Sequence, residues 1–359
     1  MTNTKTLKIG FVSSSDFCIP IAETLLSLQD KTFNELIDKH LIGLNQTNYQ
    51  INNTTFKIIE PHDYQDIKTL LGEVNNWAIE LKLIISQPDN TIRNKSIPSP
   101  ISKWAIDNDV ELWKPENINK ENNKTFEQLD LVVTASFGQL ISQNLLDKPK
   151  YGFINWHPSL LPKYRGPTPM QSTIVNQDQK YGLSWITMTK AMDDGKILLQ
   201  LENELIPEVD FNEIAGELGE LGGKTLAIAM LNQILNIGKK QNETQVSFCK
   251  KVEKDQRLIE IKNLTAKEIM AHQKAYVQFP STIFEDEYFA SKIKIINCNI
   301  LEQSQLENLE ILSYYNWNVV KIDKKQIVYL ECKDKTLLQI NKIKLNTGKM
   351  VDMSGYQFK

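Results

Sequence analysis

From residue 7 to about residue 238 the chain alternates apolar runs with helix-start signals, and beyond about residue 254 that alternation stops. Leu7-Lys8-Ile9-Gly10-Phe11-Val12-Ser13, residues 81–86 (LKLIIS) and Leu131-Val132-Val133-Thr134-Ala135 are near-continuous apolar stretches of strand length. Between them lie Asp16, placed to cap a helix with Pro20 in its first turn, and Ser99-Pro100, a capping residue followed by proline. Thr168-Pro169 opens a further helix. Residues 183–189 and 197–201 read as a strand pair around a turn at Asp193. Strands alternating with helices require an α/β fold with a mostly parallel sheet whose faces are covered.

Asp210-Phe211-Asn212-Glu213 is a capping-box pattern, followed by Ile214, Leu218, Leu221, Leu226 and Leu231 at helical spacing. That helix is expected to close a first domain over residues 1–238, and the polar stretch 239–256 reads as a linker. Residues 291–298, 317–322, 326–332 and 337–345 are short β-rich runs at close intervals, which predict a small barrel or sandwich over 257–359. A chain of 359 residues fits two such domains. Residues 30–76 are Asn/Gln-rich and weakly periodic, and read as an insertion between the first helix and the second strand. Leu41, Ile42, Phe56, Ile58, Ile59, Leu70 and Leu71 give that insertion apolar surface but no assignable function.

Composition narrows the setting. No run of about 18 apolar residues occurs, so no membrane span is expected, and the N-terminus lacks a signal-peptide pattern. Cys18, Cys249, Cys298 and Cys332 have neither metal-ligand nor disulfide-framework spacing, which fits buried thiols in a reducing cytoplasm. The net charge of −3 argues against a protein that coats nucleic acid. Residues 246–359 nevertheless hold 18 Lys+Arg against 14 Asp+Glu, a balance of +4 beside −7 for the rest. A mildly basic C-terminal part suits a polyanionic partner, and scattered solvated charge would give the same count.

The chemistry-bearing stretch is Asn155-Trp156-His157-Pro158-Ser159-Leu160-Leu161-Pro162, with Met192-Asp193-Asp194-Gly195 downstream. His157 is an imidazole suited to giving and taking a proton at neutral pH. Asn155 sits two residues earlier, so on an extended segment both side chains share a face. Its amide N–H is a neutral donor for a developing oxyanion. Asp193 can orient the imidazole or accept a proton through water. Ser159 lies outside a G-x-S-x-G elbow, the first turn Ser13-Ser14-Ser15-Asp16 lacks G-x-G-x-x-G, and no Walker A pattern is present. His157 and Asp193 alone are too few for a metal site, so no metal is expected.

These residues resemble the methionyl-tRNA formyltransferases. Phe11 with Asp16-Phe17 and Pro20, Gln87-Pro88-Asp89 with Pro98-Ser99-Pro100, and residues 135–141 (ASFGQLI) carry the likeness. So do residues 155–166 (NWHPSLLPKYRG), Pro169-Met170-Gln171, residues 192–195, 275–280 (AYVQFP) and 340–356. The resemblance implies a Rossmann-like formyltransferase domain followed by an OB-like β-barrel domain that binds tRNA. It implies transfer of a formyl group from the co-substrate 10-formyltetrahydrofolate to the α-amino group of initiator methionyl-tRNA, by a cytoplasmic monomer. Asn155, His157 and Asp193 would be catalytic. Gln139, Leu140, Ile141, Ser159, Leu160, Leu161, Pro162, Ala191 and Met192 would line the folate site. Arg93 and Lys95 would contact tRNA, and the Leu161–Pro162 bond would be cis.

The chain departs from the family pattern at three places. Its loop Asn90-Thr91-Ile92-Arg93-Asn94-Lys95-Ser96 is shorter, lacks glycine and carries fewer charges. Ser13-Ser14-Ser15 replaces the usual Gly-Thr-Pro, and the insertion is atypical. A sugar-nucleotide N-formyltransferase shares the Asn, His and Asp, and is kept open by Lys163-Tyr164-Arg165-Gly166-Pro167 and the reduced basic loop. A formylfolate hydrolase and a non-catalytic RNA-binding protein on the same scaffold are further alternatives.

Overall fold

The computed structural model describes residues 5–40, 47–59, 72, 76–92, 95–120, 124–322 and 325–359. Contacts divide the chain into two compact units. The first holds Met1–Pro169, Lys180–Glu204 and Ala215–Cys249, and the second holds Met170–Gln179, Leu205–Ile214 and Lys250–Lys359. The stretch read as a linker is thus divided, with residues 239–249 in the first unit.

The first unit is built on β1 (Thr6–Ser13), β2 (Asn48–Ile51), β3 (Thr54–Ile58), β4 (Ala78–Ile85), β7 (Leu112–Trp113), β8 (Leu131–Ala135), β9 (Phe153–His157), β10 (Lys180–Thr187) and β11 (Ile197–Glu204). The hairpin β5 (Asn90–Ile92) and β6 (Lys95–Ile97) stands apart from that sheet. The strand order is β2-β3-β11-β10-β9-β8-β1-β4-β7. The block from β7 to β9 is parallel, the Rossmann-like half. From β9 outward the pairings turn antiparallel. The central parallel strand β8 is buried along its whole length, as a strand covered on both faces requires.

Helices α1 (Ile19–Ser27), α3 (Pro100–Asp107), α4 (Pro169–Val175) and α5 (Phe211–Ile234) lie where the sequence signals place helices, whereas α2 (Phe33–His40) falls within the stretch read as an insertion, for which no helix was expected. Ser99 caps α3 by accepting from the Ser102 N–H, with Pro100 in the first turn. At α5 the Asp210 N–H donates to Glu213 Oε2 (2.8 Å) and the Glu213 N–H to Asp210 Oδ1 (3.2 Å), the expected box. Asp16 does not cap α1. It opens a 3₁₀ turn, Asp16–Cys18, and accepts from the adjacent Phe17 N–H, so α1 begins three residues later at Ile19.

Trp156 fixes the back of β9. Its indole N–H donates to the Leu218 carbonyl on α5 at 3.1 Å, and its ring is buried. Gly222 permits this approach, since a Cβ there would stand 2.6 Å from Trp156 Nε1. Glycine in a helix interior costs about 1 kcal/mol relative to alanine. Truncating a buried Trp costs about 3–5 kcal/mol, so anchoring the ring outweighs that penalty.

The described part of the insertion extends the sheet. β2 and β3 form a hairpin, and β3 pairs with β11 at Leu201↔Ile58 and Glu202↔Lys57. Phe56 is buried edge-on against Tyr181, while Thr54 Oγ1 and the Tyr181 hydroxyl both donate to Glu217. Residues 41–46, 60–71 and 73–75, also within the insertion read from the sequence, lie outside the described residues.

The second unit carries helix α6 (Ala266–Ala275) and the antiparallel strands β12 (Ile283–Asp286), β13 (Ser291–Leu301), β14 (Ile311–Tyr314), β15 (Trp317–Ile322), β16 (Lys325–Glu331), β17 (Leu337–Leu345) and β18 (Met350–Asp352). Their order is β12-β13-β17-β16-β15-β14, with β18 on β17, a curled barrel-like sheet of OB type whose outer strands stay unpaired with each other. Ile293, Ile295, Trp317, Val319, Leu330 and Ile340 lie in its core, against Ile269 and Met270 of α6. All four cysteines are buried thiols, and burial pushes those of Cys18, Cys298 and Cys332 up to about 12. No described helix is long and apolar enough to cross a membrane.

His272, on α6, pairs its Nδ1 with Thr282 Oγ1 at 2.8 Å. Burial pushes its pKa below the ordinary 6.5. The unfolded chain therefore binds the proton more readily, and stability is lost as pH falls below about 6.5. Chemical unfolding of His272→Gln is expected to depend less on pH between about 7 and 5 than that of the parent chain. Equal dependence would contradict the assignment.

Candidate active site

β9 ends at His157, between β8 and β10. Alternation along the strand sends Trp156 to one face and Asn155 and His157 to the other. Parallel register sets Asn155 opposite Thr134 on β8, and the Thr134 hydroxyl donates to Asn155 Oδ1 at 2.8 Å. That bond fixes the amide, so its Nδ2 faces Asp193 Oδ1 at 3.4 Å. Asp193 comes from the β10–β11 connection, with its backbone in the left-handed region (φ +53°), which aspartate tolerates better than most residues. Gly195 is required two residues on, because a Cβ there would stand 1.7 Å from the Thr187 carbonyl oxygen.

The second Asp193 oxygen, Oδ2, accepts from the Gly166 N–H at 2.8 Å and stands 3.6 Å from His157 Nδ1. The other ring nitrogen, Nε2, donates to the Tyr164 carbonyl at 3.0 Å. Both imidazole nitrogens therefore face acceptors, which accommodates the doubly protonated ring. His157 is only 3% exposed, so these contacts act with little water screening. The 3.6 Å separation exceeds a hydrogen bond, and a proton on Nδ1 stays available to a third group. The arrangement can stabilise an oxyanion with a neutral amide and a cationic ring, and can hold a transferred proton on the carboxylate.

The turn after β9 is tied to the antiparallel half of the sheet. The Ser184 hydroxyl donates to the Ser159 carbonyl (2.7 Å) and accepts from the Leu161 N–H (3.2 Å). Gln200 Nε2 donates to the Leu161 carbonyl (2.9 Å) and to Ser184 Oγ (2.8 Å). The Leu161–Pro162 bond is cis, as the resemblance implies.

The formyl transferase family description matches residues 61–230 of this chain. The methionyl-tRNA formyltransferase of Mesoplasma florum is 32% identical over 293 residues, covering 78% of this chain and 91% of that protein. That of Pediococcus pentosaceus is 33% identical over 246 residues, covering 66% and 75%. This chain belongs to the methionyl-tRNA formyltransferase family. As a member of the methionyl-tRNA formyltransferases it is an enzyme of formyl transfer.

Solved structures share its fold. The N-formyltransferase from Helicobacter canadensis, in complex with folinic acid and dTDP-3-aminofucose, matches with a TM-score of 0.55 at 13% identity, covering 93% of this chain and 99% of that one. A sugar 3N-formyl transferase solved with dTDP and 5-N-formyl-THF gives 0.54 at 16% identity, covering 93% and 97%.

The structure thus brings together the side chains of Asn155, His157 and Asp193. The other expected positions divide by exposure. Leu140 and Met192 are exposed apolar side chains, Ala191 is exposed, and Ile141 is partly buried against the core that holds Val132, Leu145 and Phe153. Leu160 and Pro162 are half-buried. Gln139 accepts from the Ile118 N–H (2.9 Å) and donates to the Pro115 carbonyl (3.2 Å). Ser159 and Leu161 are buried, with the Ser159 hydroxyl donating to the Lys163 carbonyl at 2.7 Å. The Ser159 side chain is thus spent on the turn itself.

Arg93 lies outside the described residues, and Lys95 is exposed on β6. Asp89 holds that hairpin, accepting from Ser96 Oγ (2.9 Å) and Lys114 Nζ (2.8 Å), and Lys114 keeps its carboxyl below the usual range. Sequence reasoning missed Thr134, the Gly166 N–H and the Tyr164 carbonyl. Thr134 sat within an apolar run, and backbone groups have no sequence signal.

Ser184→Ala would strand the buried Ser159 carbonyl and Leu161 N–H. Denaturant unfolding is expected to show a loss of about 1–3 kcal/mol. An unchanged midpoint and slope would contradict the role given to this hydroxyl.

Proposed function

We propose that this chain transfers the formyl group of 10-formyltetrahydrofolate to the α-amino group of methionine on initiator methionyl-tRNA. The observation that carries this reading is the meeting of the Asn155 amide, the His157 imidazole and the Asp193 carboxylate at the end of β9, in a chain of this family. The exposed apolar side chains of Leu140 and Met192 suit a flat pterin.

The neutral amine attacks the formyl carbon, and a new N–C bond forms as the carbonyl oxygen takes up negative charge. Asn155 Nδ2–H and His157 Nδ1–H donate to that oxyanion. Asp193 steadies the cationic ring and accepts the proton that the attacking nitrogen must lose. The bond from carbon to folate N10 then breaks, and the proton passes to that nitrogen through water. Formylmethionyl-tRNA and tetrahydrofolate leave, and no covalent enzyme intermediate is required.

The second unit supplies chemistry suited to RNA. Lys294 on β13 and Lys344 on β17 are direct cross-strand partners, alternating with buried Ile293, Ile295 and Ile343. Burial first, and the facing Lys344 second, lower the pKa of Lys294. Like charges set opposite each other are unfavourable alone and are relieved by a phosphate. We read this face, and separately Lys95 of β6 and Arg93, as contacts to tRNA phosphates. A cytoplasmic, monomeric enzyme that needs no metal is part of the same proposal.

Formyl donor should be incubated in parallel with initiator methionyl-tRNA, elongator methionyl-tRNA and an amino-sugar nucleotide. The expected product is formylated initiator tRNA, with His157→Ala slowing turnover by about 10²–10³-fold. Formylation of the sugar nucleotide alone would move the chain to the sugar-nucleotide class. Formate release without an acceptor would make it a hydrolase, and no turnover at all would leave an RNA-binding protein.

A further inference from the structure

The segment after α5 passes behind the site, and one side chain in it touches both loops that flank the imidazole. Gln241 is 8% exposed. Its Nε2 donates to the Asp193 carbonyl at 2.7 Å and to the Gly195 carbonyl at 2.9 Å. Its Oε1 accepts from Arg165 Nε at 3.0 Å. Arg165 is itself 5% exposed, and its charge is met by Glu243 Oε1 at 2.8 Å. One amide therefore joins the turn of residues 164–166 to the loop of residues 193–195. The first supplies the Tyr164 carbonyl to His157 Nε2 and the Gly166 N–H to Asp193 Oδ2, and the second carries Asp193 itself.

We propose that Gln241 is a positioning residue that sets the His157–Asp193 separation. The proposal rests on reading that pair as catalytic. Asp193 sits in the left-handed region, which is unfavourable for a side-chain-bearing residue unless its surroundings hold it. The bond to its own carbonyl is one such hold. Only an amide of this length has two N–H donors for two carbonyls and an oxygen for the guanidinium. Glutamate would turn an oxygen toward two carbonyl oxygens, and methionine would fill the space without any hydrogen bond.

The segment does not depend on Gln241 to stay docked. Lys239 exchanges backbone hydrogen bonds with Ile197 at 2.8 and 2.9 Å. Tyr164 N–H donates to Ser247 Oγ at 2.9 Å, Arg165 N–H to the Ser247 carbonyl at 2.9 Å, and Cys249 N–H to the Arg165 carbonyl at 2.9 Å. Loss of Gln241 should therefore loosen the catalytic pair while the strap remains in place.

The test compares Gln241→Met and Gln241→Glu with the parent enzyme, with Lys240→Ala on the exposed neighbour as control and Asp193→Ala as reference. kcat and KM for methionyl-tRNA and for the formyl donor are measured across pH, with thermal unfolding of each variant. Both Gln241 variants are expected to lose about 10- to 100-fold in kcat at nearly unchanged KM, and to shift the pH–kcat profile. Lys240→Ala is expected to keep both. Parent-like kcat and profile in the Gln241 variants, with Asp193→Ala inactive, would overturn the proposal. So would a kcat loss that merely tracks the fraction unfolded, with the profile unmoved. An active Asp193→Ala would instead overturn the reading of the pair on which the proposal rests.

Discussion

The Asp193 carboxylate is the point at which three otherwise separate pieces of backbone are held together. Gly166 N–H binds one oxygen, Asn155 Nδ2 approaches the other, and His157 Nδ1 stands 3.6 Å away. Two of these contacts come from β9 and one from the turn after it, while the carboxylate itself comes from the β10–β11 connection. A single carboxylate thus faces two neutral N–H donors and one ring that can carry positive charge. Removing it would leave the N–H of the buried Gly166 without its acceptor, and an unpaired buried donor is costly.

The rest of the first unit reads as support for that contact. Trp156, pinned to α5 through Leu218 and admitted by Gly222, sets the rotation of β9 from behind. Thr134 on β8 sets the amide of Asn155 from the side. Ser184 and Gln200, from β10 and β11, hold the turn that delivers Tyr164 and Gly166. The parallel half of the sheet brings Asn155 and His157 to its carboxyl ends, where open α/β sheets present ligands. The antiparallel half brings Asp193 to meet them.

Much of this was legible from residue order. Near-continuous apolar runs located β1, β4 and β8, and cap residues located α3 and α5, because burial and unpaired helix N–H groups leave compositional marks. The motif around His157, and Asp193 beside its glycine, marked the site. Other parts left no mark. β9 is short and ends inside the motif, so its strand character was masked by proline-rich turn residues. Gly166 and Tyr164 act through backbone atoms. Gln241 stands in a polar stretch that reads as a linker, and composition cannot distinguish an amide bonded to water from one bonded to buried carbonyls. Asp16, placed like a helix cap, was spent on the next N–H instead.

The central claim is that the negative charge of Asp193, and not merely its size, organises the site. Asp193→Asn keeps the shape while removing the charge and one acceptor. The single-turnover rate of formyl transfer to methionyl-tRNA, at saturating donor, is the direct measure. The account predicts a fall of about 10²–10³-fold with unfolding little changed. A rate close to that of the parent enzyme would contradict it.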